Sequence, residues 1–64
     1  MTAGQKIRAA RIEAGMTLQT LAEKAGMSIA SLSRIELGKV AGPRLNTLMS
    51  IAFALGVPVS EIIP

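Results

Sequence analysis

The chain has 64 residues, half of them hydrophobic, and seven Lys and Arg against four Asp and Glu give it a formal charge of +3. Cysteine and histidine are absent, which excludes disulfides, thiolate zinc sites and histidine general bases. A chain of this length forms a single domain, residues 1–64, that buries roughly 60% of the surface its unfolded form exposes. The charge fits an anionic partner without identifying one, because a basic domain with no nucleic-acid role has the same balance.

The first predicted helix covers residues 3–14. Thr2 and Gln5 have the spacing of a capping box, in which each side chain bonds to the backbone amide of the other residue. Gly15 can adopt the left-handed conformation that ends a helix. Hydrophobic periodicity places three residues on the face that packs inward: Ile7, Ala10 and Ala14.

Two short amphipathic helices, over residues 18–25 and 29–37, are separated by a tight turn at Gly26 and form a helix-turn-helix pattern. Thr17 and Ser28 have side chains that are preferred at helix N-caps. The residues expected to pack inward are Leu21, Ala22, Ala25, Met27, Leu32 and Ile35. The outer face of the second helix is the one that would meet a partner, and it carries Ile29, Ala30, Ser33, Arg34 and Leu37.

The fourth predicted helix covers residues 45–55, with Pro43 shortly before its start and Gly56 at its end. Its core-facing stripe is predicted to comprise Leu45, Leu48, Ile51, Ala52 and Leu55. The following segment should bend and then form one further helical turn over residues 60–63. The apolar residues of this segment that can cover the core are Val57, Val59 and Ile62. We therefore expect an all-α fold, a compact bundle of five helices.

The last third of the chain carries a single charge, Glu61. A membrane span needs about 20 predominantly apolar residues in a row, and Asn46, Ser50, Gly56 and Pro58 interrupt this stretch. The N-terminus also has no signal in which a charged segment precedes an apolar one. We therefore expect a cytoplasmic protein without membrane contact.

Several motifs follow one another at the spacing of a known family. The most specific are Leu-Ala-Glu-Lys-Ala-Gly at residues 21–26 and Arg-Ile-Glu-Leu-Gly-Lys at residues 34–39, and Ile-Arg-Ala-Ala-Arg precedes them at residues 7–11. Through these motifs nearly the whole chain resembles the Cro and lambda-repressor (XRE-type) family of helix-turn-helix domains. The resemblance implies a sequence-specific transcriptional regulator, a repressor, that binds double-stranded operator DNA as a homodimer and places its third helix in the major groove.

The resemblance also implies roles for individual residues. The positions that would face the bases are Ile29, Ala30, Ser33 and Arg34. The other DNA-binding positions, which would lie near the phosphate backbone, are Thr17, Ser28, Lys39 and Arg44; from the last of these an arginine can also reach the minor groove. Arg11 and Glu36 match a pair that forms a salt bridge between the first and third helices, so we assign them to structure.

The outward surface is less polar than in many members of that family. Apolar residues stand near the expected DNA contacts at Leu18, Ile29, Ala30, Leu37 and Val40. In one interpretation these side chains pack on thymine methyl groups while Ser33 and Arg34 supply hydrogen bonds. In the other, they form an apolar surface for a protein partner, and the domain binds DNA weakly or not at all.

A homodimer also needs a surface that contacts the second copy. Phe53, the only aromatic residue, falls off the inward stripe of the fourth helix. Together with an apolar cluster near the C-terminus it predicts a dimer interface formed by Phe53, Val57, Pro58, Ile62 and Ile63. The alternative is that Phe53 and Ile62 close the core of the monomer.

No set of residues in the chain predicts an enzyme. Ser31 and Ser33 lack an activating base, and no pair of carboxylates is placed for acid and base chemistry among Glu13, Glu23, Glu36 and Glu61. Nothing in the sequence indicates a metal, another cofactor or a small-molecule ligand.

Overall fold

The structure, a computed structural model, describes all 64 residues. It contains four α-helices, α1 (Ala3–Glu13), α2 (Leu18–Ala25), α3 (Ile29–Glu36) and α4 (Leu45–Leu55), followed by a 3-10 helix at Val59–Glu61. The all-α prediction is confirmed, but the expectation of five α-helices was wrong. The longest helices have 11 residues, and none is long and apolar enough to cross a membrane.

The final helical turn is shorter than predicted and begins one residue earlier. The amide of Glu61 donates to the carbonyl of Pro58, and the amide of Ile62 donates to that of Val59, both at 3.0 Å. These bonds span three residues, and helices of this tight type rarely extend beyond three or four residues. The turn ends at Ile62, whose φ of −118° leaves the helical region.

Thr2 and Gln5 form the predicted capping box at the start of α1. The Thr2 hydroxyl accepts from the Gln5 amide at 3.1 Å, and the Gln5 side chain accepts from the Thr2 amide at 2.9 Å. Gly15, just beyond the other end of the helix, has the expected positive φ of 72°. Ala14 was predicted to face inward but is exposed, because it is the C-cap residue and lies beyond the last helical residue.

The core lies between the four α-helices and contains only hydrophobic side chains. Its buried members are Ala3, Ile7, Leu21, Ala22, Leu32, Ile35, Leu48, Ile51, Ala52, Leu55 and Ile62. The inward stripes predicted for α2 and α3 are confirmed, since all their members are buried or packed against this core. In α4 the prediction fails at Leu45, which is 60% exposed. Leu45 lies four residues before Met49, which is 51% exposed, and so belongs to the side of α4 that faces away from the core.

α1 approaches the C-terminal end of α3 very closely at Gly4. A Cβ atom on Gly4 would overlap the carbonyl oxygen of Ile35 and lie 3.0 Å from that of Glu36. Only glycine lets the two backbones meet at this distance without a shift. At the same end of α1, the Lys6 ammonium donates to the carbonyl oxygen of Ile63 at 2.7 Å and so holds the C-terminal segment against this helix.

Gly4→Ala tests the close approach of α1 to α3, because the sign of the change in the free energy of unfolding depends on whether the added methyl group has room. At an ordinary helical position alanine is more stabilising than glycine by roughly 0.5 to 1 kcal/mol. Here the added methyl group must push α1 away from α3, so we expect the free energy of unfolding in urea to fall by about 1 to 3 kcal/mol. Ala9→Gly, at an exposed position of α1, is the control and should cost roughly 1 kcal/mol through helix propensity alone. A gain in stability from Gly4→Ala would contradict the close packing.

Candidate nucleic-acid interface

A short turn joins α2 to α3 and sets the angle between them. Gly26 ends α2 in the left-handed conformation with a φ of 70°. The amide of Met27 then donates to the carbonyl of Ala22 at 3.0 Å, which closes the turn. Ala22 itself is fully buried, so a larger side chain there would overpack the contact. The predicted helix-turn-helix is therefore present at residues 18–36.

Paired hydroxyl groups stand at the N-termini of both helices. Thr17 accepts from the amide of Thr20 and donates to its hydroxyl, both at 3.0 Å. Ser28 makes the same two bonds to Ser31, at 3.1 and 2.9 Å. Each hydroxyl pair lies at a helix N-terminus, where a hydroxyl group can also bond to an external partner. Thr17 and Ser28 were predicted from the sequence, whereas Thr20 and Ser31 were not, although the spacing of hydroxyl residues three apart could have indicated them.

The outer face of α3 carries the four residues predicted to face bases. Ile29, Ala30 and Arg34 are exposed, and Ser33 is half-buried. The face thus presents one guanidinium group, one hydroxyl group and two apolar side chains. Arginine can bond to guanine O6 and N7 with two N–H groups, and apolar side chains can contact the thymine methyl group.

Arg34 and Arg44 line one cleft of about 360 Å³ between α3 and the start of α4. Ser31 and Thr47 add hydroxyl groups to its walls, and no acidic residue lines it. Arg44 is the N-cap residue of α4, but its side chain makes no capping bond and is left for other contacts. Two guanidinium groups and two hydroxyl groups suit an anion such as a phosphate group. Thr47, like Ser31, was not among the residues predicted from the sequence.

Lys39 and Thr17 lie outside this cleft. Lys39 is exposed in the segment after α3, where its amide donates to the carbonyl of Arg34 at 2.9 Å. Thr17 is exposed at the start of α2. The structure therefore brings Arg34 and Arg44 together and leaves the other two residues as separate positions around them.

The apolar surface that suggested a protein partner is smaller than the sequence indicated. Leu18 and Val40 are only partly exposed, because both pack against the core. Ile29 and Leu37 are the large hydrophobic residues of the group that stay exposed. They lie at opposite ends of α3, so they do not form a continuous patch between them.

The ion pair that the resemblance implied between the first and third helices is present. Arg11 Nε lies 2.8 Å from Glu36 Oε2, and Arg11 Nη2 donates to Glu36 Oε1 at 3.1 Å. Arg11 Nη1 also donates to the carbonyl oxygen of Met16 at 3.0 Å. The two side chains are only 13% and 5% exposed. The pair therefore ties the last residue of α3 to α1 and to the segment before α2.

One of the residues predicted for a dimer interface does not reach the surface. Ile62 is fully buried, because the 3-10 turn directs it into the monomer core. Its assignment to a dimer interface was therefore wrong, and the alternative role in the core is correct. Val57 and Ile63 are partly exposed and pack against the core, and Pro58 is exposed. Phe53 does not close the core, since 88% of its surface is exposed.

The polar groups around α3 are suited to binding an anion. They are guanidinium, ammonium and hydroxyl groups, and no cluster of three or more His, Cys, Asp or Glu side chains could hold a metal ion. Two short helices, α2 and α3, joined by a tight turn at Gly26 and packed on a hydrophobic core give the arrangement of a helix-turn-helix domain. The helix-turn-helix family matches residues 7–62, and the chain belongs to this family.

Two proteins named as repressors are similar to this chain. It is 46% identical over 63 residues to the immunity repressor protein of Bacillus phage phi105, a match that covers 98% of the chain and 43% of that relative. It is 42% identical over 55 residues to the HTH-type transcriptional repressor RghR of Bacillus subtilis (strain 168), covering 86% of the chain and 41% of the relative. The chain thus spans less than half the length of both relatives.

Glu36→Ala should destabilise the fold, because it leaves the Arg11 guanidinium without its carboxylate in a mostly buried site. We expect the free energy of unfolding in urea to fall by about 3 kcal/mol. The double variant with Arg11→Met and Glu36→Met should recover part of this loss, since no unpaired charge stays in the site. Glu13→Ala, at an exposed position of α1, is the control and should change stability by less than about 0.5 kcal/mol. Equal effects of the two alanine variants would refute the role given to the pair.

Proposed function

We propose that this protein is a sequence-specific transcriptional repressor that binds operator DNA as a homodimer and reads the major groove with α3. The observation that carries the proposal is the cleft in which Arg34 and Arg44 come together without an acidic residue. Membership of the helix-turn-helix family and the similarity to two proteins named as repressors support the same function.

Base recognition in this proposal belongs to the outer face of α3. With the N-terminal turn of α3 in the groove, Ile29 and Ala30 contact thymine methyl groups. Arg34, one turn further on, bonds to a guanine with two N–H groups. Ser33 is half-buried and contributes at most one hydroxyl bond from the edge of the face.

Phosphate contacts surround this reading surface. The N-termini of α2 and α3 present free backbone amides, and their dipoles favour an anion. The hydroxyl groups of Thr20 and Ser31 add donors at these two positions. Lys39 and Arg44 supply positive charge on the following segment. A single copy with a few cationic contacts would bind DNA weakly. A dimer doubles the number of these contacts and places them on half-sites about 34 Å apart.

A protein-interaction module with the same fold is the second candidate function. Its support is the exposure of Ile29 and Leu37. It is less well supported than DNA binding, because Leu18 and Val40 pack against the core and do not extend this surface. Salt separates the two functions: an apolar contact survives raised ionic strength, whereas phosphate binding falls steeply.

Arg34→Ala tests base recognition. We expect it to cost about 1 to 3 kcal/mol of binding to the preferred sequence and to relax the preference at one base position. The measurement is selection of bound sequences from a random DNA pool, followed by titration of the preferred site. Arg8→Ala, which removes an exposed arginine of α1 that does not line the cleft, is the matched control. Wild-type binding without preference for any sequence would overturn sequence-specific recognition.

Arg44→Gln tests the phosphate contact beside α3. A lost phosphate contact should weaken binding to all sequences by a similar factor and reduce the slope of log K against log salt by approximately 0.9 for each subunit. Arg44→Lys keeps the charge and should keep most of the slope. The experiment is a titration of one duplex at several salt concentrations. If Arg44→Gln leaves the slope unchanged, Arg44 does not contact a phosphate.

A further inference from the structure

α4 carries an exposed apolar stripe that the DNA-binding surface does not use. Leu45, Met49 and Phe53 follow one another at intervals of four residues and are 60%, 51% and 88% exposed. Side chains four residues apart lie on the same side of a helix. Phe53 is the most exposed of the large hydrophobic residues. A contiguous apolar surface of this kind marks a contact site on a small domain.

A shallow, open groove of about 400 Å³ lies between α4 and the C-terminal end of α2, and Met49 and Phe53 of the stripe form part of its α4 side. Ser50 lines its α4 side, and Glu23 and Lys24 line its α2 side. Gly26 adds no side chain there, and the space next to its Cα is open. A projecting ring, Phe53, and an open recess therefore lie next to each other on one surface.

We propose that the stripe and the adjacent groove form the contact surface for a second copy of this chain, with Phe53 of each copy entering the groove of the other. This inference rests on the homodimer of the proposed function and assigns its interface. A two-fold interface joins the same patch on both copies. Such a patch must contain both a projection and the recess that receives it, and Phe53 and the groove meet this requirement.

The charges around the groove suit a second copy of the chain. α4 contains no charged residue from Leu45 to Leu55, so two copies can approach along it without electrostatic repulsion. Glu23 and Lys24 carry opposite charges, and the groove therefore has no net charge that would attract DNA or an acidic protein. Lys24 would lie beside the incoming phenyl ring, where an ammonium group is attracted to the ring face.

The size of the domain also fits this arrangement. A stable interface buries about 800 Å² on each partner, which is about a fifth of the 4050 Å² surface of the chain. The stripe alone is smaller than this, so the groove and its walls must take part.

A two-fold axis along α4 keeps Arg44 of both copies at the same end of the dimer. Half-sites about 34 Å apart then require each reading surface to lie roughly 17 Å from the axis, within the 23 Å width of the domain.

Phe53→Glu should weaken the dimer and leave the fold intact, because the side chain is almost fully exposed in the monomer. We expect the dissociation constant, measured by sedimentation equilibrium without DNA, to rise by roughly tenfold or more. Ile12→Glu places the same charge at another exposed large hydrophobic residue, on α1, and should leave the constant unchanged. Circular dichroism melting checks that both variants stay folded.

A cross-linking measurement locates the interface without depending on stability. The chain has no cysteine, so Ser50→Cys introduces a single thiol at an exposed position on the wall of the groove. A short bismaleimide should join two Ser50→Cys chains efficiently at concentrations where the protein is dimeric. Ile12→Cys should give little cross-linked product under the same conditions.

The outcomes separate this interface from the DNA-binding function. A chain that is monomeric both when free and in its complex with selected DNA overturns the interface, as does a dimer that Phe53→Glu does not weaken. Stripe-dependent binding of a different protein by a monomeric chain would overturn it as well. A dimer that depends on Phe53 and cross-links at Ser50→Cys, but binds no DNA, supports the interface and overturns the proposed function.

Discussion

The contact between α1 and the C-terminal end of α3 is the constraint on which the position of the outer face of α3 depends. α3 has eight residues, and helices shorter than about 12 residues are marginal in water without tertiary contacts. Its last residues are held by the backbone approach at Gly4 and by the ion pair of Arg11 with Glu36. Its first residues are held by the Ser28 cap. Because both ends are fixed, the side chains on the outer face of α3 contribute little to folding. Stability therefore does not restrict which side chains this face presents to a partner.

The distribution of charge is more informative about function than its total. A formal charge of +3 fits many basic domains. Glu36, the only carboxylate of α3, is neutralised by Arg11 on the side of the helix that faces α1. Glu13, Glu23 and Glu61 line none of the cleft that Arg34 and Arg44 share. The positive charge beside α3 is therefore uncompensated, and this arrangement could not be obtained from the sequence because it depends on where the loop after α3 returns the chain.

Local signals predicted the helix boundaries well, and tertiary contacts account for the errors. Hydroxyl caps and glycines act within a few residues, so the starts of α1, α2 and α3 agree with the sequence pattern. Leu45 has the right period for the core but is 60% exposed. Ile62 looked suitable for a surface, yet the 3-10 turn buries it. Periodicity identifies one face of a helix, but it does not tell how far the neighbouring element extends. The close approach at Gly4 has no local signal either, since a glycine in the first turn of a helix suits many purposes.

α4 connects the two proposed surfaces. Arg44 at its start lies in the cationic cleft, and Phe53, nine residues later, lies about 14 Å along the helix at 1.5 Å per residue. Because α4 packs against the core through Leu48, Ile51, Ala52 and Leu55, these two positions cannot move independently. A dimer joined along α4 would therefore fix the distance and the orientation between the two cationic clefts. In such a dimer, α4 would set the spacing between the two half-sites, because it holds each cationic cleft at a fixed distance from the interface. The side chains of α3 would set the choice of bases within each half-site.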